Sequence, residues 1–386
     1  MKNASRFLTF VCLTMGAACL APGMAAAEKA AAKRDATAAK SPAQSVAEEI
    51  GSLRNARVAI KMPAQKIELT YFAGSILAAD QAELARLAPN VRIVTGLTRE
   101  TALARAGEAH GIDGRFATPE FLARAPKLVW VQVMSAGVDR FIGIEPLVKN
   151  DAIVLTNLRG VHGPAIADHA MAMLLSLTRD LRFHAANQAK QHWGKGESVV
   201  RPVALDGRTM LVVGIGGIGT EIGQRAHAFG MHVIGTRRST TPAPAFFERV
   251  GQSKDLLTML PDADVVAIAV PLTAETEKLF NAAAFAAMKR GSYLINIARG
   301  KVVDTDALMA ALKSGQLAGA CLDVTDPEPL TAGHALWSLP NVIITPHVAA
   351  DAEVTDQRSS ALLRENMRRF GAGEPLLNVV DKVAGY

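Results

Sequence analysis

The chain has 386 residues, 49% of them hydrophobic and 20% charged, the balance of an ordinary soluble protein with length for about two domains. Its formal charge of +6 is unevenly placed: Lys2 and Arg6, then Lys29, Lys33, Arg34 and Lys40 set against Glu28 and Asp35, carry most of it, and the rest of the chain is nearly neutral. No later cluster of Lys and Arg interleaves with aromatics, which argues against a DNA or RNA partner.

Residues 1–27 have the layout of a secretory signal: basic Lys2 and Arg6, an apolar run at Phe7–Leu20, and Ala25-Ala26-Ala27 as a small-residue cleavage site. The run is too short and too rich in Gly and Ala for a membrane span, which needs roughly 20 apolar residues. The mature chain is therefore expected to begin near Glu28 without stable membrane insertion, periplasmic or secreted, with a cytoplasmic location as the alternative. No twin-arginine motif precedes Phe7. Cys12 and Cys19 fall inside this segment, leaving Cys321 alone, so the mature chain can form neither an internal disulfide nor a multi-cysteine metal site. Residues 28–56 read as a flexible leader, opening on the Ala/Lys-rich EKAAAKRDATAAKSPAQ.

A folded region is expected from RVAIKM at Arg57. It continues through a helical stretch at Asp80–Ala88 and the short β-rich runs VRIVTGL, LVWVQV and AIVLTN, the rhythm of a parallel α/β sheet. From Pro164 to about Gln188, small and apolar residues at i, i+3 and i+4 predict one long connecting helix. A second series follows as TMLVVG, MHVIGT, DVVAIAV, SYLINIA, GACLDV and NVIITPH, six strand-like runs with intervening helices. They suggest a doubly wound, dinucleotide-binding sheet. A helical stretch at Glu353–Phe370 leads out, and EPLLNVV comes near the end.

LVVGIGGIG places Gly214, Gly216 and Gly219 directly after a strand and before a helix. Gly214 would make the tight turn, Gly216 would let the backbone approach a pyrophosphate, and Gly219 would let helix and strand pack closely. Gly217 and Ile218 would offer backbone N–H groups at the positive end of that helix. At the end of the second strand, an NAD enzyme usually carries an acidic residue for the ribose 2′-hydroxyl; here Arg237 and Arg238 stand instead, with Ser239 and Thr240 beside them. Guanidinium groups bind a 2′-phosphate through charge-assisted bonds, so NADP(H) is the preferred cofactor and NAD(H) the alternative.

Three later strand ends carry polar groups in apolar runs: INIARG with Arg299, LDVTDPEPL with Asp323 and Glu328, and TPHVAA with His347. Reducing a 2-oxo acid needs a cation for the carboxylate, an acid for the carbonyl oxygen and a partner for that acid, roles that Arg299, His347 and Glu328 fill. With PLTAETEKLFN, MKRGSYLINIARGKVVDTDAL, SGQLAGACLDVTDPEPL and ALWSLPNVIITPHVAA in order, the sequence resembles the D-isomer-specific 2-hydroxyacid dehydrogenases over nearly all of residues 57–386.

That resemblance implies an α/β fold of two doubly wound parallel-sheet domains with an interdomain cleft. One is a flavodoxin-like substrate domain, residues 57–160 and 350–386; the other is a Rossmann NADP-binding domain, residues 161–349. It implies that Arg299 binds substrate, that His347 is the general acid or base paired with Glu328, and that Ala136-Gly137 in MSAGVDR hold the substrate carboxylate. It also implies that Asp323 orients the nicotinamide carboxamide, with Pro271, Ala298 and Arg299 on the cofactor side. A homodimer and a small 2-oxo acid of the glyoxylate or hydroxypyruvate type follow from the same likeness. The alternative is a non-catalytic nucleotide-sensing or protein-binding module on that fold.

Two positions depart from the family pattern: Thr325 stands where Phe is more usual, and VAADAEVT after His347 lacks a common glycine. Ser135 and Asp139 read as loop hydrogen-bonders. His162, His169, His184 and His192 lie around the connecting helix without carboxylate or cysteine spacing and read as packing or surface residues, with no metal expected; His334 reads as a loop residue.

Overall fold

The structure, a computed structural model, describes residues 68–74, 78–198, 200–240 and 242–386. The signal-like segment, the leader and the RVAIKM run lie outside the described residues. Two parallel sheets follow one another along the chain. The first holds β1 (Leu69–Phe72), β2 (Val91–Val94), β3 (Gly111–Asp113), β4 (Trp130–Gln132) and β5 (Val154–Thr156) in the order β2-β1-β3-β4-β5, the flavodoxin-like arrangement. The second holds β6 (Thr209–Val213), β7 (His232–Thr236), β8 (Phe247–Gly251), β9 (Val265–Ile268), β10 (Ser292–Asn296), β11 (Leu317–Leu322) and β12 (Val342–Ile344) in the order β12-β11-β10-β9-β6-β7-β8. Every pairing within both sheets is parallel.

The apolar runs are continuous because these strands are covered on both faces. Leu211, Val213, Val266, Ile268 and Leu294 join one core layer with Ala284, Phe285, Leu308 and Leu312 of two helices. Met210, Val212, Val265, Ala267 and Ile295 alternate onto the other layer, under Ala167, Ala170, Leu174, Ile222 and Ala226. All six strand-like runs of the second series form strands. The seventh, β8, escaped the pattern because three of its five residues are exposed at the sheet edge. In the first sheet, β1 and β3 were missed as separate strands.

The predicted single connecting helix is two, Gly163–Thr178 and Leu181–Ala189. Asp180 between them adopts the left-handed region (φ 50°), and the Thr178 hydroxyl bonds back to the Leu174 carbonyl (3.0 Å), a local competitor of the helical ladder. The turn brings Arg182 to the carbonyls of Val342 (2.6 Å) and Pro340 (2.7 Å), docking the second helix beside β12. The Glu353–Ala372 helix returns to the first sheet: Phe370 lies 5.0 Å from Trp130, ring to ring, and Arg364 pairs with the buried Asp80 of the Ala78–Leu87 helix. Among the described residues, no helix is long and apolar enough to cross a membrane.

Candidate active site

Parallel strands aim their C-terminal ends one way, and ligands of such sheets bind beyond those ends, where strand order reverses. In the second sheet the reversal lies between β6 and β9. The glycine turn follows β6, Arg237 and Arg238 follow β7, Pro271 follows β9, Ala298 and Arg299 follow β10, Asp323 and Glu328 follow β11, and His347 follows β12. From the first sheet, Ala136 and Gly137 follow β4.

The three glycines occupy three different environments. Gly214 has φ +102°, and a Cβ there would lie 2.8 Å from the Ala269 carbonyl oxygen. At Gly219 a Cβ would meet the Gly214 carbonyl oxygen at 2.1 Å, so only glycine lets the helix pack on the turn. Around Gly216 nothing lies within 4 Å, leaving room for a group to approach the backbone. Gly216 caps the Gly217–Ala228 helix without any side-chain bond, which leaves its first N–H groups, including those of Gly217 and Ile218, without a capping side chain at the positive end of the helix dipole. Gly217 also approaches the Gly160 backbone, a Cβ at 217 lying 3.2 Å from it. Beside β7, the Nε of Arg237 is enclosed with no hydrogen-bond partner, and Arg238 meets Glu275 at 3.3 Å. An anion-accepting turn at a helix N-terminus, with two arginines at the end of the next strand, fits a dinucleotide.

His347 Nδ1 lies 2.7 Å from Glu328 Oε1, with both side chains partly exposed. A carboxylate only accepts, so Nδ1 carries the hydrogen and Nε2 is left to exchange a proton with substrate. His347 has φ +58°, an uncommon backbone for a non-glycine residue, held because its N–H donates to the Asp323 carbonyl (2.8 Å). The buried Asp323 carboxylate fastens the same loop, accepting from Thr345 Oγ1 (2.6 Å), Val348 N (3.0 Å) and Ala349 N (3.1 Å). Both its oxygens thus anchor the His347 loop, a structural duty beyond the one its position implied.

Arg299 reaches the first sheet's loop. Its Nε and Nη2 meet Asp139 Oδ1 at 3.1 and 3.0 Å, its Nη1 donates to the Ala298 carbonyl (2.8 Å), and a Cβ on Gly137 would lie 1.7 Å from Nη2. Asn157 holds the Ala136 carbonyl (2.8 Å) and Ser135 the Gly137 carbonyl (2.7 Å), which shapes that loop. Pro271 is exposed, with its carbonyl taken by Thr276 (2.6 Å). Thr325 bonds the Pro327 carbonyl (2.8 Å), and its own carbonyl crowds Gly300.

Two residues carry more than the sequence signalled. Asp139, read as a loop hydrogen-bonder, is the partner of Arg299. His169, read as packing or surface, places Nε2 2.9 Å from Thr345 Oγ1 and 3.7 Å from Asp323 Oδ1. Neither had a spacing signal, because each meets a partner more than 150 residues away. His192 pairs with Glu197 at the surface (2.8 Å), His334 caps its own turn, and burial lowers the proton affinity of His162.

Two parallel-sheet domains with a nucleotide turn and a carboxylate-backed histidine at the strand ends define an α/β dinucleotide-binding dehydrogenase. Comparison with known proteins agrees. Residues 171–349 match the model of the D-isomer specific 2-hydroxyacid dehydrogenase, NAD binding domain. A glyoxylate reductase from Thermococcus litoralis is 36% identical over 269 residues, 68% of this chain and 80% of its own. Among solved structures, a D-isomer specific 2-hydroxyacid dehydrogenase family protein from Aeromonas salmonicida superposes with a TM-score of 0.70 at 34% identity, over 82% of this chain and 99% of its own. An NADPH-dependent glyoxylate/hydroxypyruvate reductase from Sinorhizobium meliloti, in complex with NADP and sulfate, superposes with 0.67 at 28%, over 82% and 100%. The chain belongs to the D-isomer-specific 2-hydroxyacid dehydrogenase family, oxidoreductases that act on CH–OH donors with NAD(P).

Proposed function

We propose that this chain is an NADPH-dependent reductase of a small 2-oxo acid, glyoxylate or hydroxypyruvate in type. The observation that carries the reading is the junction of Arg299 with Gly137 and Asp139, a cation brought from β10 onto the loop after β4, in a chain that also holds, after β12, a histidine whose Nδ1 is fixed by Glu328. When bound, the reduced nicotinamide supplies the hydride. Arg299 takes the substrate carboxylate with its planar N–H edge. His347 gives its Nε2 proton to the carbonyl oxygen, while Glu328 stabilises the imidazolium that precedes transfer and fixes the ring. Asp323, through Val348 and Ala349, keeps that ring in place.

The preference for NADPH over NADH is supported by Arg237 and Arg238, which stand at the end of β7 in the place of an acidic residue that would repel a 2′-phosphate. The small substrate is supported by the relatives named glyoxylate reductase and glyoxylate/hydroxypyruvate reductase. The reading includes export, on the Lys2, Arg6, Phe7–Leu20 and Ala25–Ala27 pattern, and a homodimer by family likeness; the mass of the mature chain and light scattering test these two.

The central test is absorbance loss at the NADPH band with glyoxylate, hydroxypyruvate, pyruvate and bulkier 2-oxo acids, with NADH in parallel. Rapid NADPH oxidation with one small acid is expected. Folded protein that binds NADPH yet oxidises it with none of them overturns the reading in favour of a sensing or binding module.

A further inference from the structure

Past the last helix, the chain returns to the first sheet. Val379 bridges to Thr156 at the edge of β5, and Asn378 donates to the Arg159 carbonyl (2.8 Å). Lys382 Nζ donates to the carbonyls of Leu147 (3.0 Å) and Asn150 (2.7 Å), and a turn closes with Asp381 N donating to the main-chain oxygen of Tyr386 (3.1 Å). This pinned turn presents the Tyr386 ring to Arg238. The guanidinium carbon lies 4.4 Å from the ring centroid, and that of Arg159 lies 5.6 Å from it.

Arg238 stands at the end of β7, where the fold meets the ribose of a bound dinucleotide. A guanidinium stacked by its face keeps its N–H groups at the edge, and those groups bind a phosphate in fork geometry. An exposed arginine otherwise loses rotamer freedom when it clamps a ligand; a ring that already fixes its plane removes part of that loss. Glu275, 3.3 Å from Arg238 Nη1, is three-quarters exposed and free to yield to a phosphate.

We propose that Tyr386 is a positioning residue for cofactor choice: its ring fixes the plane of Arg238 for the 2′-phosphate and so favours NADP over NAD. The inference rests on the NADP reading above and deepens it. The ring has no such effect on a ribose that carries only hydroxyls, because the gain acts through a charge-assisted phosphate contact.

Titration calorimetry on the full chain with NADP⁺ and NAD⁺ separates the outcomes. Tyr386→Ala is expected to raise the Kd for NADP⁺ roughly two- to fivefold, the size of a cation–π contact at an exposed site, and to leave the Kd for NAD⁺ unchanged. Tyr386→Phe should bind as wild type, and Tyr386→Ala should add no further loss in an Arg238→Ala background. Equal weakening of both cofactors would show that the tail only supports the fold, and tighter NADP⁺ binding would show that the ring blocks the site; either overturns the proposal. A wild type that prefers NADP⁺, with Tyr386→Ala unaltered, sinks the proposal alone. A wild type with no preference sinks the NADP reading and the proposal with it.

Discussion

Adding one methyl group at Gly137 tests the substrate-binding assignment without touching a charged residue. A Cβ there would lie 1.7 Å from Arg299 Nη2, 2.8 Å from its Cζ and 3.0 Å from Asp139 Oδ1, so its three nearest neighbours all belong to the Arg299–Asp139 pair. Gly137 lacks the positive φ that would strain an alanine, and a guanidinium on a flexible stem can swing aside. The fold should therefore lose only a partly exposed ion pair, worth about 0–1 kcal/mol. What fails is catalysis, because the displaced guanidinium no longer meets the substrate carboxylate. Charged hydrogen bonds are worth about 1.5–3 kcal/mol, or roughly 10- to 100-fold in kcat/KM. Initial rates with the preferred 2-oxo acid should show that loss in Gly137→Ala, with the cofactor Kd and melting temperature near wild type. In an Arg299→Ala background the same methyl should cost little more, since both changes remove one contact. A folded Gly137→Ala protein with wild-type kcat/KM would refute the assignment.

His347→Asn, chosen because asparagine tolerates the left-handed backbone at that position, should lower kcat by about 10²- to 10⁴-fold with cofactor binding intact by fluorescence titration; near-normal turnover would remove His347 as the acid. Arg237→Asp should move the NADPH/NADH ratio of kcat/KM toward NADH, and an unchanged ratio would detach this arginine from the 2′-phosphate. Burial holds the His162 imidazole below its usual protonation range, so the unfolded chain takes up the proton first. Stability should then be level above about pH 6.5 and decline as pH falls below it, with His110, lowered by burial and by Lys127, acting in the same sense. Melting temperatures of wild type and His162→Gln between pH 5 and 8 check this; equal slopes would show that His162 does not contribute.

Local pattern was sufficient wherever one short segment carries both the geometry and the chemistry. The runs from TMLVVG to NVIITPH are apolar on both faces and short, so their strands were legible. The glycines of GIGGIG announced a turn whose three environments the structure displays. The Arg299, Glu328 and His347 motifs were legible because each follows such a strand. Legibility ended where a strand had too few buried residues to make a pattern, as at β8, or where helical periodicity continued across the left-handed break at Asp180.

Tertiary structure alone decided the pairings between distant segments. Arg299 and Asp139 are 160 residues apart, His169 and Thr345 are 176 apart, and Tyr386 meets Arg238 only because the last turn is pinned beside β5. No periodicity encodes such contacts. They exist because parallel strands converge their C-terminal ends, and the sheet order, not the residue spacing, selects which loops meet there.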